Sequence, residues 1–178
     1  IGGSIWLAGK LFPGKRPLSE VSKSPTETDP PAIARPLKAV LLRVGTVERM
    51  ALAEVLEIIP TQTAEAALSA LADFAADVVV TDIGTSDRET TALLKRLRDP
   101  VTSPRRGLPV ICLLAESSPA QVHGLIKAGV DHVMIKPISA TALYDLARHL
   151  CDNPMPQISV PKYIGPDRRR LPDDSFTG

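Results

Sequence analysis

The chain has 178 residues, 44% of them hydrophobic but only 3% aromatic, and a formal net charge of +1. This suits one domain with an aliphatic core and gives no general attraction to DNA or to a membrane surface. No stretch reaches the roughly 18 to 20 apolar residues of a membrane span. Cys112 and Cys151 lack metal or disulfide-framework spacing, so they read as reduced thiols of a cytoplasmic protein.

Residues 1–36 form a proline-rich linker, with Pro13, Pro17, Pro25, Pro30, Pro31 and Pro36 among Ser, Thr, Lys and Glu. Its start, IGGSIWLAGKLFPGK, has a short apolar patch but no basic leader or cleavage site, and reads as a docking segment or a mobile end, the mobile end ranking first. The folded part is expected over 37–153. KAVLLR (Lys38–Arg43) is a short buried strand, and TVERMALAEVLEII (Thr46–Ile59) has helical spacing with Thr46 as N-cap and Pro60 as its stop. TQTA is a weak strand candidate, AEAALSALADF (Ala64–Phe74) a helix, and DVVVTDI (Asp77–Ile83) the clearest strand. DRETTALLKRLRD (Asp87–Asp99) is helical, with cations near its C-terminus that suit the dipole and Pro100 as its end.

LPVICLL (Leu108–Leu114) is the next buried strand. Ser118 caps a helix with Pro119 at its first position and Gly129 past its end. HVMIK is a short strand ending at Lys136, and Ser139 caps a last helix to Leu150. Strand and helix alternate about five times, and the strands are apolar without alternation. That pattern predicts a doubly wound α/β fold with a parallel sheet covered on both faces. Its site belongs at the strand C-termini, which offer Arg43, Val44, Asp82, Leu114 and Lys136.

About 115 residues resemble the receiver domain of two-component response regulators. The resemblance rests on VVVTD with Asp82, LLAES after the fourth strand, and KAGVDHVMIKP with Lys136-Pro137. It implies a CheY-like, flavodoxin-type sheet of five strands in the order 2-1-3-4-5. It also implies a phosphoacceptor aspartate at Asp82 and a phosphoryl-contacting lysine at Lys136. The family's two metal-holding acids fall on Arg43 and Val44, its switch hydroxyl on Leu114 and its switch aromatic on Val133. A cation and an apolar group cannot ligate a hard cation, and Glu48, the nearest acid, lies inside the first helix. The expectation is a degenerate pocket without metal, cofactor or catalytic residue. Arg43 either pairs with Asp82 or points to solvent.

The implied function is a phosphorylation-independent interaction module of a bacterial two-component-type pathway. Its partner is another signalling protein, or a second copy met through the face of the fourth helix, fifth strand and fifth helix (Val122, Leu125, Leu143, Tyr144). A weakly phosphorylated receiver on Asp82 is an alternative.

Other chemistry is weaker. His123, His132 and His149 lack ligand spacing, Ser86, Ser117 and Ser118 lack a nucleophile context, and Gly45 alone is no phosphate loop. TSPRRG (Thr102–Gly107) reads as a solvated basic loop. Residues 154–178 read as an extended tail with an aromatic-x-Gly-Pro-acid-Arg-Arg motif: Tyr163, Gly165, Pro166, Asp167, Arg168, Arg169 and Arg170. It resembles tails found after receiver-like domains in some bacterial signalling proteins, and a second aromatic-x-Gly stands at Phe176–Gly178. Either Tyr163 anchors in a partner protein while the arginines meet its acids, or the arginines bind a cyclic dinucleotide. A solvated charge run ranks ahead of nucleotide binding.

Overall fold

The computed structural model describes residues 35–84, 88–116 and 118–169. Strands β1 (Lys38–Leu42), β2 (Glu57–Thr61), β3 (Val78–Ile83), β4 (Val110–Leu114) and β5 (His132–Ile135) alternate with five helices. These are α1 (Thr46–Ala53), α2 (Ala64–Asp73), α3 (Arg88–Leu97), α4 (Pro119–Ala128) and α5 (Ala140–Asp152). All strand pairs are parallel and the order is β2-β1-β3-β4-β5. This is the doubly wound sheet that unalternated apolar runs demand.

The period of two along each strand sorts the core into two layers. Val40, Leu42, Val79, Ile83, Val110, Cys112 and Leu114 pack under α2, α3 and α4. Ala39, Leu41, Val78, Val80, Ile111 and Leu113 pack under α1 and α5. Burying a Val, Leu or Ile side chain contributes about 1.5–3 kcal/mol, so β3 and β4, buried at every position, anchor the sheet. Ser118 Oγ accepts from Gln121 N at 3.2 Å, Ser139 Oγ accepts from Ala142 N at 3.4 Å, and Gly129 ends α4 at φ 95°.

Several expectations need correction. Thr46 is the first helical residue of α1, and its N-cap is Gly45, without a side-chain capping bond. The helix stops at Ala53 rather than Ile59, and EIIPT forms β2, so Pro60 lies inside a strand. The parity of the ladder explains this. Glu57 N bonds Leu37 O, and Thr61 O accepts from Arg43 N, so odd-numbered positions of β2 face β1. Pro60 turns its ring nitrogen to the open edge, where no donor is needed.

α3 ends at Leu97, ahead of Pro100, and its expected first residue Asp87 lies outside the described residues, as do Ser86 and Ser117. The proposed dimer face also changes. Leu125 and Leu143 are 3% and 0% exposed and belong to the two core layers, so neither forms part of an outer surface. Finally, the chain after α5 is not simply extended. It folds into an antiparallel hairpin of β6 (Gln157–Val160) and β7 (Tyr163–Pro166) packed on α4. Among the described residues no helix is long and apolar enough to cross a membrane.

Candidate functional site

Three strand ends build the expected pocket. β3 delivers Asp82 at its penultimate position, 8% exposed. β5 ends one residue before Lys136, whose N–H bonds Leu114 O at 2.7 Å and so fixes the lysine beside β4. The Lys136–Pro137 peptide is cis. Lys136 Nζ donates to Asp82 Oδ2 at 2.5 Å. It also stands 3.4 Å from Glu48 Oε1 on the first turn of α1. Burial works against the Lys136 ammonium, but the hydrogen bond and charge of Asp82, with Glu48 behind them, outweigh it and hold its pKa above the ordinary lysine value. Asp82 Oδ1 is buried with no hydrogen-bond partner among the described residues.

Arg43 does not join this cluster. It sits just past β1 at φ 59°, a left-handed conformation uncommon for a non-glycine residue. It makes no ion pair with any described residue. The alternative in which it pairs with Asp82 is therefore set aside. Glu48 is the group that reasoning along the chain undervalued. It lies inside the first helix, as the sequence says, but at the turn facing Lys136. Val44 and Leu114 are 5% and 0% exposed, and Val133 is half-buried against the α2–α3–α4 layer.

At the other end of the strands lies a second polar centre. Arg98, 2% exposed, donates to Gly129 O (3.0 Å), Leu108 O (2.8 Å), Arg106 O and Asp131 Oδ2 (2.5 Å). Asp131 Oδ2 also accepts from Val110 N at 2.6 Å. Burial pushes the Asp131 carboxyl up and the Arg98 guanidinium down, each against the attraction of the other. Arg105 donates to Ala76 O, and Arg105 and Arg106 are partly buried, so the TSPRRG loop is structural rather than merely solvated.

The tail motif docks on this centre. Tyr163 Oη donates to Pro166 O at 2.8 Å, and Asp167 N to Pro156 O at 2.7 Å. Arg168 donates to Val130 O and, at 2.9 Å, to Asp131 O. A methyl group on Gly165 would lie 2.9 Å from Gly129 Cα and 2.8 Å from Tyr163 Oη, which explains a glycine at the motif's third position. Arg169 pairs with Asp167 at 2.5 Å, and that hydrogen bond holds the Asp167 carboxyl down at about 2. Tyr163, Arg168 and Arg169 are thus engaged by their own chain. Arg170 and Phe176–Gly178 lie outside the described residues.

No family model matches the chain, and no curated protein does. Solved structures do. The chemotaxis response regulator CheY4 of Vibrio cholerae superposes with a TM-score of 0.54 at 16% identity, covering 64% of this chain and 98% of that one. A CheY-like response regulator receiver domain protein from Methanospirillum hungatei gives 0.53 at 20% identity, over 65% and 94%. The signal receiver domain of a histidine kinase from Syntrophus aciditrophicus gives 0.53 at 17%, over 70% and 98%.

The chain has the receiver fold.

Within that fold, the resemblance implies Mg²⁺ beside the acceptor aspartate, and the residues present do not suit it. A hard divalent cation takes about six oxygen donors. Here the acid positions hold a cation and a buried valine, and the ammonium of Lys136 occupies one Asp82 oxygen and faces Glu48. Asp82 Oδ1 is the one buried carboxylate oxygen without a hydrogen-bond partner among the described residues. Among the described residues no three His, Cys, Asp or Glu side chains cluster as metal ligands. His123, His132 and His149 stay apart. Burial, with the Arg168 charge, keeps His132 below the usual histidine pKa.

Proposed function

We propose that this chain is a phosphorylation-independent receiver-like module that acts by binding another signalling protein in a cytoplasmic two-component-type pathway of bacteria. One observation carries the reading: Asp82, the residue placed to accept a phosphoryl group, is held by Lys136 at 2.5 Å, with Arg43 and Val44 in the acid positions. Phosphoryl transfer depends on neutralising charge around the transferred group, chiefly with metal. The residues here do not assemble that metal site. Leu114 in the hydroxyl position and Val133 in the aromatic position offer no hydroxyl–aromatic relay. Similarity to receiver domains supports the signalling context and, with it, a role in binding another protein.

The test is incubation with acetyl phosphate and Mg²⁺ followed by intact-mass measurement. The unmodified mass is expected. Stoichiometric gain of one phosphoryl group, mapped to Asp82, would sink the proposal. One observation favours the weakly phosphorylated alternative: Asp82 Oδ1 is buried and has no hydrogen-bond partner among the described residues, so a nucleophilic oxygen remains. Slow, substoichiometric labelling abolished by D82N is its signature. The cyclic-dinucleotide reading loses support, because Arg168 and Arg169 are occupied within the chain.

A further inference from the structure

Five lysines lie among the described residues: Lys38, Lys95, Lys127, Lys136 and Lys162. Lys38 pairs with Glu57 at 3.4 Å, and Lys136 with Asp82 and Glu48. The other three have no ion-pair partner among the described residues, and all three line one groove. It measures about 400 Å³ and runs between α3, α4 and the β6–β7 hairpin. No aspartate or glutamate lines it. Its apolar walls include Val160 and Ile164, which are 48% and 37% exposed.

The docked tail creates this groove, since β6 and β7 supply one whole wall. Three lysines without ion-pair partners among the described residues, set beside exposed Val160 and Ile164, make a surface complementary to an acidic ligand that also carries an apolar group. The chemistry narrows the occupant. Lysine ammonium groups are point charges that pair with carboxylates or phosphates. The exposed aliphatic Val160 and Ile164 beside them favour a peptide, which can offer an apolar side chain, over a nucleic-acid backbone, which offers none. The groove's one guanidinium, Arg98, is spent on carbonyls and Asp131. We infer that the groove receives an extended peptide segment of a partner protein, carrying carboxylates beside one bulky apolar side chain. The carboxylates meet Lys95, Lys127 and Lys162, and the apolar side chain lies against the exposed Val160 and Ile164.

This inference rests on the binding-module reading and names the surface that module uses. A convenient probe is the labelled peptide Leu-Pro-Asp-Asp-Ser-Phe, the sequence of residues 171–176. It is titrated into the whole chain by fluorescence anisotropy. Saturable binding is expected, weakened about tenfold or more by K95E/K127E/K162E, since each exposed pair is worth roughly 1.5- to 5-fold. Higher salt, Asp→Asn peptides and a Phe→Ala peptide weaken it too. The lysine variant's unfolding midpoint, unchanged, rules out damage to the fold. Equal binding by the lysine variant, or no binding at all, overturns the site. A second background, D173N/D174N/F176A, removes the chain's own acidic segment. Binding seen there alone makes that segment the occupant and overturns the partner assignment. Stronger competition by a single-stranded oligonucleotide than by unlabelled peptide does the same. The acetyl phosphate test stands apart: phosphoryl uptake on Asp82 with peptide binding intact would remove the phosphorylation-independent reading and leave the groove.

Discussion

Replacing Lys136 with methionine isolates what the ion pair does for this pocket. The substitution keeps the apolar stem and removes the charge, so Asp82 is left 8% exposed with both carboxylate oxygens unpaired. Breaking a fully buried pair costs about 3–5 kcal/mol. Here the Lys136 side chain is 23% exposed, so water moderates the loss and about 2 kcal/mol is the expected figure. With an m-value near 2 kcal/mol/M, this moves the urea midpoint by about 1 M, read by far-UV circular dichroism. The double variant D82L/K136M removes the stranded charge and is expected to recover most of that loss, giving a coupling of about 1–2 kcal/mol. A K136M chain within about 0.5 kcal/mol of the parent, with no coupling in the cycle, would refute the claim that the pair holds the pocket.

Four further outcomes follow from the same geometry. R98M strands Asp131 and frees the carbonyls of Leu108 and Gly129, so calorimetry should register a loss of about 3–5 kcal/mol. G165A forces its methyl into Gly129 and Tyr163, and should raise amide exchange in residues 157–166 while leaving β3 and β4 protected. R43D/V44D supplies the missing oxygen donors, so Mg²⁺-dependent labelling of Asp82 by acetyl phosphate should appear where the parent shows none.

The fourth concerns pH. Burial pushes the Asp77 carboxyl up, but Arg35 (2.6 and 2.9 Å) and Lys38 N (2.9 Å) outweigh it and hold its pKa below the ordinary 3.8. Its stabilising contribution is therefore present above about pH 4 and lost as pH falls through the lower folded value. Lys136 behaves oppositely: its raised pKa gives a contribution present below 10.5 and lost above it. D77N should flatten the acid limb of the stability profile, and K136M the alkaline limb.

Local signals carried much of this in the sequence. Ser118, Pro119, Gly129 and Ser139 act within a turn or two of themselves, and their spacing alone places α4 and α5. The buried runs of β3 and β4 fix the doubly wound arrangement, and with it Asp82 and Lys136 at one end. Three features were not legible because they depend on distant neighbours. Pro60 looks like a helix stop until β2 is known to be an edge strand. Glu48 looks like an ordinary helical acid until α1 is laid over the sheet and its carboxylate meets Lys136, 88 positions away by the numbering. Gly129 reads as a helix end, but it is also the seat for Gly165, a role visible only once the tail folds back.

The two outermost anchors of the described chain share a location. Arg35 is clamped to Asp77 just ahead of β3, and Arg168 to Val130 and Asp131 just ahead of β5. Asp131 and Lys136 bracket β5, about 16 Å apart at roughly 3.3 Å per residue. Both ends of the described chain are therefore held at the sheet's N-terminal rim, at the opposite end of the strands from Asp82. Within the described residues, a protein reading the Asp82 face and one reading the docked tail would meet opposite ends of the sheet.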